Sequence, residues 1–235
     1  MFNTIGRPKS VAITEKEFAM KVALIGASGF VGSALLKELL HRGHDVVALA
    51  RHPEKIAAQP HLTVVAADVM QPTQVQDAVK GTDAVVSAYN AGWTNPNIYA
   101  DFMAGSRAIV QGVKAAGVKR YLVVGGAGSL FIQGQQLVDS PDFPAAIKPG
   151  ATAARDMLTE LEKESSLDWT LLSPPISLQL DGLGERTGHY RTGKDEPLMQ
   201  PDGQPGTISA ADLAVAMVDA LEQGAHQRER FTVAY

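Results

Sequence analysis

A glycine-rich string constrains the fold of this 235-residue chain more than any other feature of its sequence. The string runs from Gly26 to Gly32 in the pattern G-x-x-G-x-x-G, between a short aliphatic run and a helical pattern. In such a strand-turn-helix unit the first glycine permits a tight turn, the second lets the backbone approach a pyrophosphate, and the third allows close helix packing. Free amides at the helix start attract the phosphates. We therefore predict, with a plain packing turn as the alternative, that a dinucleotide binds to Gly26, Ala27, Ser28, Gly29, Phe30 and Val31.

Short runs of β-branched and aliphatic residues alternate with longer helical patterns along the chain, which is typical of a parallel sheet covered on both faces. We predict strands at 21–25, 45–50, 62–67, 84–88, 121–124, 169–172 and 230–234. Helices are predicted after the glycine string, ending before Gly43, and at 73–80, 99–116, 151–165 and 210–223. Ser209, with Asp212 three residues on, is the predicted cap of the last helix. The predicted fold class is α/β, a doubly wound and mostly parallel sheet of the Rossmann type.

The chain length and its 45% hydrophobic residues suffice for one sizeable core, so we predict a single domain at 20–235. Residues 1–19, with a short amphipathic stretch at 13–18, are interpreted as an N-terminal extension outside that domain. The segment 173–205 is rich in glycine, proline and charge and is too long for an ordinary connection. It is predicted to be a functional lid or a small irregular insertion on the substrate side.

The composition argues against several classes of partner. The formal net charge of −4 gives no basic field for nucleic acid, and no apolar run approaches the roughly 20 residues of a membrane span. With no cysteine there is no disulfide or thiol chemistry, and a reducing compartment is permitted, so we predict a cytoplasmic location. The histidines lack metal-ligand spacing, and no metal is predicted. We expect a small-molecule partner and a monomer or homodimer.

The second predicted strand ends in Leu49-Ala50-Arg51-His52, where NAD-specific sites usually place an acid that accepts from the ribose hydroxyls. Arg51 would instead make a bidentate contact to a 2′-phosphate, and His52 would add a donor. The pattern favours NADP(H) over NAD(H), with a solvated surface arginine as the alternative.

Residues at the ends of the next two strands complete the predicted cofactor site. Asp68, with Val69 beside it, is placed to accept from the adenine amino group, although it would equally cap the following turn. Ala88 and Tyr89 would border the ribose after the fourth strand.

Further motifs follow in chain order, namely V-V-G-G-A-G-S-L, L-S-P-P, G-E-R-T-G-x-Y and the terminal R-F-T-V-A-Y. Together with G-A-S-G-F-V-G they resemble the atypical short-chain dehydrogenase/reductase family known as NADH-flavin reductases, over essentially residues 20–235. The first motif is shared with biliverdin reductase B-like, NmrA-like and epimerase relatives. The resemblance implies a Rossmann fold, a nicotinamide cofactor and reduction of a flavin or another planar conjugated acceptor. Flavin would be a substrate rather than a tightly bound cofactor.

The resemblance also assigns site residues. Gly125, Gly126 and Ser129 fall where the superfamily's fifth strand delivers an active-site serine, and Pro174 with Pro175 falls where a loop flanks the nicotinamide. Ser129 is a catalytic candidate that would donate to the acceptor carbonyl or orient the nicotinamide amide. Its alternative role is that of a turn hydroxyl.

One departure from the superfamily pattern bears on the chemistry. A Tyr-x-x-x-Lys pair should begin the next helix, but residues 148–155 contain no tyrosine. Alcohol dehydrogenation needs that tyrosine as a general acid held near neutral pKa by the lysine. Hydride transfer to a flavin ring moves charge into a delocalised system that solvent can protonate, so orientation and stacking would suffice.

Charged and aromatic residues follow in the predicted insertion, namely Glu185, Arg186, His189, Tyr190 and Arg191. Ligands of open α/β sheets bind at the carboxyl ends of strands, so Tyr190, a second catalytic candidate, or Arg186 would touch the acceptor. A structural Glu185/Arg186 pair and an outward His189 are the alternative.

Three functions are consistent with these patterns. The first is an NAD(P)H-dependent reductase of a planar acceptor such as a flavin, quinone or tetrapyrrole. The second is a catalytically silent module that senses NADP(H) and acts through a protein partner. A sugar-nucleotide epimerase or dehydratase is disfavoured by the missing tyrosine.

Overall fold

The structure, a computed structural model, describes residues 19–235 of the chain. The predicted extension up to residue 18, including the amphipathic stretch at 13–18, lies outside the described residues. The described part contains twelve strands: β1 (Lys21–Ile25), β2 (Asp45–Ala50), β3 (Leu62–Ala66), β4 (Ala84–Ser87), β5 (Arg120–Val124), β6 (Phe131–Ile132), β7 (Gln135–Gln136), β8 (Asp168–Ser173), β9 (Ser177–Leu178), β10 (Arg191–Gly193), β11 (Thr207–Ile208) and β12 (Glu229–Ala234).

Eight of these strands form one sheet in the order β10-β12-β8-β5-β4-β1-β2-β3. Its pairings are parallel, apart from the antiparallel edge pair β10–β12. Val22 of β1 pairs with Val46 of β2 on one side and with Ala84 of β4 on the other. From β1 the chain first builds β2 and β3 on one side. It then returns and builds β4, β5 and β8 on the other side, so the strand order reverses between β1 and β4. The predicted doubly wound, mostly parallel sheet is confirmed, and each predicted strand is present to within one residue at either end.

Five α-helices connect these strands: α1 (Phe30–His41), α2 (Pro72–Val79), α3 (Ile98–Ala115), α4 (Lys148–Leu161) and α5 (Ala210–Glu222). The predicted cap of α5 is confirmed, because Ser209 Oγ accepts the Asp212 backbone N–H at 3.0 Å. α4 begins three residues before the predicted start of 151, with Pro149 in its first turn. Proline is tolerated there, since the first helical N–H groups have no partner within the helix.

The helices cover both faces of the sheet. α1 packs with α5 on one face, while α2, α3 and α4 pack side by side on the other. Successive side chains of β1 point to opposite faces of the sheet and so enter both cores. Val22 and Leu24 lie in the core under α1 and α5, and Ala23 lies in the core on the other face. Within residues 19–235 no helix combines the length and the hydropathy that a membrane crossing requires.

The insertion between β8 and α5 is fixed to the α1/α5 layer at several points. Arg186 Nε lies 2.6 Å from Glu38 Oε2 on α1, and Thr187 and Gly188 donate backbone N–H groups to the Asp212 carboxylate at 3.2 and 2.8 Å. The acid partner of Arg186 is therefore Glu38, and the predicted pairing with Glu185 is wrong. These contacts favour a small irregular subdomain over a lid.

Candidate functional site

The glycine turn lies at the carboxyl edge of the sheet, where β1 and β4 diverge. The Ala88 N–H donates to the Ile25 carbonyl at 2.9 Å, which holds the end of β4 against the end of β1. Open α/β sheets bind ligands in the crevice at such a reversal of strand order. The topology therefore places the predicted dinucleotide turn at the ligand-binding position of the fold.

Two glycines of the turn are required by close backbone approaches. Gly26 has a φ of +84°, and a Cβ there would lie 2.6 Å from the Ala88 carbonyl oxygen. A side chain at Gly32 would overlap the Gly26 carbonyl oxygen. Larger residues at either position would force the first turn of α1 away from the sheet edge.

The first turn of α1 presents backbone donors to the crevice. The Gly29 N–H donates to the Gly26 carbonyl at 2.9 Å. The first helical hydrogen bond is the one from the Ser33 N–H to the Gly29 carbonyl. Among the described residues nothing accepts the N–H groups of Phe30, Val31 and Gly32, and Gly29 provides no side-chain cap. Ser28 and Gly29 are exposed, whereas Ala27 is buried. Uncapped amides at a helix start, reached over a bare backbone, fit a pyrophosphate.

Arg51 and His52 directly follow β2 and are both exposed. Within residues 19–235 the Arg51 guanidinium makes no hydrogen bond or ion pair, and His52 Nδ1 lies 3.3 Å from Glu54 Oε1. The arginine is thus available to a 2′-phosphate while the histidine already has an acidic neighbour. Contact of either residue with a cofactor stays a prediction.

Asp68 follows β3 and is half-buried, as is Val69. Asp68 Oδ1 accepts the Met70 N–H at 3.0 Å, and its own N–H donates to Gln74 Oε1 at 2.8 Å. One carboxylate oxygen therefore caps the turn before α2, as the alternative interpretation expected. A contact between the carboxylate and adenine stays a prediction.

Tyr89 closes the crevice beside β4. Its ring stacks on Phe102 with centroids 5.7 Å apart, and its hydroxyl donates to the Asp101 carbonyl at 3.0 Å. Burial raises the pKa of Tyr89, Asp101 and Asp68 raise it further, and Arg51 acts in the opposite direction. The Tyr89 hydroxyl is therefore engaged as a donor and holds its proton more tightly than a free tyrosine does.

The loop after β5 brings its predicted residues to the same edge but buries the hydroxyl. A Cβ at Gly125 would lie 2.5 Å from a Leu171 methyl group, and one at Gly126 would lie 3.2 Å from Ala154. Ser129 is 1% exposed, and its Oγ donates to the Gly126 carbonyl at 3.0 Å. Its hydroxyl therefore has the alternative role of satisfying the turn, and contact of Ser129 with the acceptor carbonyl or the nicotinamide amide stays a prediction.

Residues after β8 lie at this edge too. Ser173 is buried and its Oγ lies 3.2 Å from Ser129 Oγ, which joins the ends of β5 and β8. Pro174 is half-buried and Pro175 is buried. The position of both prolines fits a wall of the crevice, and their contact with nicotinamide stays a prediction.

The placement of Tyr190 contradicts its predicted contact with the acceptor. Its hydroxyl donates to Asp219 Oδ2 at 2.5 Å, and Asp219 Oδ1 lies 2.7 Å from Arg42 Nη1. Arg42 is the residue after α1, whereas the glycine turn precedes that helix. A helix of 12 residues is about 18 Å long, so the Tyr190 hydroxyl lies near the far end of α1 from the crevice.

Tyrosine hydroxyls elsewhere in the chain are also engaged. The five tyrosines all lie within the described residues. The Tyr89 hydroxyl donates to the Asp101 carbonyl. The hydroxyls of Tyr99, Tyr190 and Tyr235 donate to the side chains of Asp156, Asp219 and Asp212, respectively, and Tyr121 is buried in the core. At the crevice, the Tyr89 hydroxyl is thus already bonded to a main-chain carbonyl.

The residue that the sequence patterns did not indicate is Trp93, in the loop after β4. It is 59% exposed, and two more exposed apolar residues, Ile147 before α4 and Ile176 after β8, lie at the same edge of the sheet. A lone tryptophan in a polar loop has no periodic signal. The run Asn90-Ala91-Gly92 before it was the available hint of an ordered turn at a strand end.

Comparison with known proteins agrees with this geometry. Residues 26–224 match the NAD(P)H-binding family. The uncharacterized protein YwnB of Bacillus subtilis is 39% identical over 217 residues, which cover 91% of this chain and 98% of YwnB. A solved structure from Bacteroides thetaiotaomicron, provisionally named an epimerase, is 47% identical with a TM-score of 0.84 and covers 92% of this chain and 97% of its own. Another from Streptococcus pneumoniae, provisionally named an NADH-flavin reductase, is 35% identical with a TM-score of 0.79 and covers 92% and 99%.

Proposed function

The chain belongs to the NAD(P)H-binding family, and from this premise we propose that it is an NAD(P)H-dependent reductase of a flavin or a similar planar conjugated acceptor. The membership confirms the resemblance to atypical short-chain dehydrogenases/reductases that the motifs indicated. The observation that carries the proposal is a glycine turn with free helix-start N–H groups, at an edge where the Tyr89 hydroxyl is bonded to the Asp101 carbonyl. The name of the Streptococcus pneumoniae relative agrees with the proposed acceptor.

The chain's own groups would bind and orient the reactants rather than move a proton. The N–H groups of Phe30 and Val31 would hold the pyrophosphate, while Ala88 and Tyr89 would border the ribose. When bound, a reduced nicotinamide supplies a hydride, which carries two electrons and one proton, and water supplies the second proton of the reduced acceptor. Correct placement of two reactants can supply most of the acceleration that such a transfer needs.

The cofactor is proposed to be NADP(H) in preference to NAD(H). The support is the exposed guanidinium of Arg51, which has no partner within residues 19–235, and the absence of an acid at the end of β2. A planar fork of donors suits the 2′-phosphate. A cytoplasmic location, with a monomer or homodimer, remains part of the proposal.

A catalytically silent module that senses NADP(H) is the second candidate, and the buried hydroxyl of Ser129 favours it. Such a module would bind the cofactor tightly without turnover and would change its affinity for a protein partner with the redox state. An epimerase, the provisional name of the Bacteroides thetaiotaomicron relative, is disfavoured because that chemistry needs a tyrosine acid–base group.

The deciding experiment follows the near-ultraviolet absorbance of NADPH with purified protein and excess riboflavin or FMN, corrected for the reaction without protein. We expect protein-dependent loss of absorbance, and a panel of quinones and tetrapyrroles extends the test to other planar acceptors. If NADPH binds but is oxidised with none of them, the reductase is rejected in favour of the sensing module.

A further inference from the structure

Trp93 is an aromatic side chain that is exposed to solvent at the carboxyl edge of the sheet, where the crevice lies. The chain has two tryptophans; Trp169 is 3% exposed in the core, whereas Trp93 is 59% exposed. An indole offers a large apolar area, and leaving it in water forgoes a substantial burial free energy. Large aromatic rings are also the usual anchors of binding sites.

The turn that carries Trp93 is ordered by its own side chains. Asn90 Oδ1 accepts the Gly92 N–H at 2.7 Å, and the Asn95 N–H donates to the Gly92 carbonyl at 3.0 Å. Asn95 Nδ2 also donates to Asp101 Oδ2 at 2.8 Å, which ties the turn to the start of α3. The ring is therefore presented on a pre-organised loop, so that binding against it costs little ordering of the chain.

The ring leans on the first turn of α4. A Cβ built on Gly150 would lie 2.8 Å from Trp93 Cζ3 and 2.8 Å from Ile98 Cδ1, so the indole edge fits only because this residue is glycine. Ile147, at the cap of the same helix, is 42% exposed. Trp93 and Ile147 are thus two exposed apolar side chains beside the start of α4.

The position of this surface matches one half of the crevice. Arg51 and Asp68 follow β2 and β3 on one side of β1, whereas Trp93 follows β4 on the other. A dinucleotide spans such a reversal with one mononucleotide on each side. Arg51 is assigned to the adenosine half of the cofactor. The nicotinamide half and the acceptor therefore belong on the other side of β1, where Trp93 lies.

We propose that Trp93 is the platform on which the acceptor stacks its ring, and that it selects planar conjugated molecules over flexible or saturated ones. The inference rests on the proposed function, since it assigns the acceptor of that same site. Offset stacking of conjugated rings adds to the area buried, and recognition by ring area tolerates different ring substituents. The residue binds the acceptor and takes no part in proton transfer.

The test compares Trp93→Ala and Trp93→Phe with Tyr99→Ala as the matched control. Tyr99 is 41% exposed, and its hydroxyl donates to Asp156 on α4. In protein loaded with NADP+, which cannot reduce the acceptor, riboflavin binding is measured by equilibrium dialysis, a readout that does not depend on the presence of the indole. We expect Trp93→Ala to weaken riboflavin binding about tenfold, Trp93→Phe to retain most of it, and Tyr99→Ala to match wild type.

Binding and turnover separate the inference from the proposed function. If Trp93→Ala binds and reduces riboflavin like wild type, the platform is rejected and the reductase stands. If wild type binds riboflavin in a Trp93-dependent manner but oxidises no NADPH, the reductase is rejected and the platform stands. Absence of riboflavin binding to wild type overturns the platform, and an unchanged NADP+ affinity and thermal midpoint confirm that the Trp93→Ala protein is folded.

Discussion

Arg186 holds Glu38 through two parallel hydrogen bonds, from Nε to Oε2 at 2.6 Å and from Nη2 to Oε1 at 2.8 Å. The two residues are 148 positions apart in the sequence. The Glu38 side chain is only 4% exposed, and Arg42 approaches the same carboxylate at 2.7 Å. A bidentate arginine on a buried carboxylate fixes geometry as well as charge, so this pair anchors the insertion to α1.

Removal of this anchor should destabilise the whole domain. We expect Arg186→Ala to lower the free energy of unfolding by about 1.5–3 kcal/mol, because Glu38 stays buried with one cation fewer. Arg107→Ala is the matched control, because it breaks an ion pair with Glu160 that lies in solvent. The Arg107 side chain is 60% exposed and the Glu160 side chain is 37% exposed. In urea unfolding the loss for Arg107→Ala should be much smaller than the loss for Arg186→Ala, because an exposed ion pair is screened by solvent. Equal losses for the two variants would show that the Glu38 pair has no special role.

Long-range contacts such as this anchor explain which features the sequence did not predict. The strands and the Ser209 cap were predictable because periodicity and capping are local, and each is encoded within a few residues. The position of Tyr190 depends on contacts of its insertion with Glu38, Asp212 and Asp219, which no local pattern encodes. Ser129 was assigned to the correct edge by topology, but the direction of its hydroxyl is set by packing between the β5 and β8 ends.

Acid stability should depend on Glu164. Burial raises the pKa of Glu164, but hydrogen bonds from Lys114 and Ser166 outweigh burial and lower it from 4.5 to about 2. A carboxylate with a lowered folded-state pKa stabilises the protein above the unfolded value, and this contribution is lost as the pH falls toward the folded value. The expected window is therefore pH 4.5 down to about 2.

Urea unfolding of Glu164→Gln and wild type across that window measures this contribution. The difference in unfolding free energy should be largest near neutral pH and should shrink as the pH falls. Glu162→Gln, at the exposed carboxyl cap of α4 two residues away, is the control, because within residues 19–235 the Glu162 carboxylate has no hydrogen-bond or ion-pair partner. A constant difference between Glu164→Gln and wild type at all pH values would contradict the assignment.

Cofactor preference should depend on Arg51. We expect Arg51→Ala to weaken NADPH binding about tenfold or more and to leave NADH binding within about twofold, because a charge-assisted contact to the 2′-phosphate is lost. Lys55→Ala, which removes an exposed cation four residues on, controls for the general loss of positive charge. Dissociation constants for both cofactors, taken from nicotinamide fluorescence at fixed ionic strength, give the ratio. An unchanged ratio in Arg51→Ala would assign this residue to solvent.

The middle glycine of the turn permits the sharpest test of phosphate binding, because it can be replaced without breaking the fold. Gly29 has an ordinary φ of −81°, and a Cβ there would lie 3.3 Å from the Gly26 carbonyl oxygen, a tight contact that a small shift relieves. We expect Gly29→Ala to shift the thermal midpoint by only a few degrees, corresponding to about 1 kcal/mol.

The new methyl group would stand where the backbone must approach the pyrophosphate, so affinity for NADPH and for NADH should fall together by about tenfold or more. This shared loss distinguishes Gly29→Ala from Arg51→Ala, which acts on the 2′-phosphate alone. Isothermal titration with both cofactors measures the two affinities. Wild-type affinity in a folded Gly29→Ala protein would mean that the turn packs α1 against the sheet without holding phosphate, and the dinucleotide would then have to be bound elsewhere on the carboxyl edge.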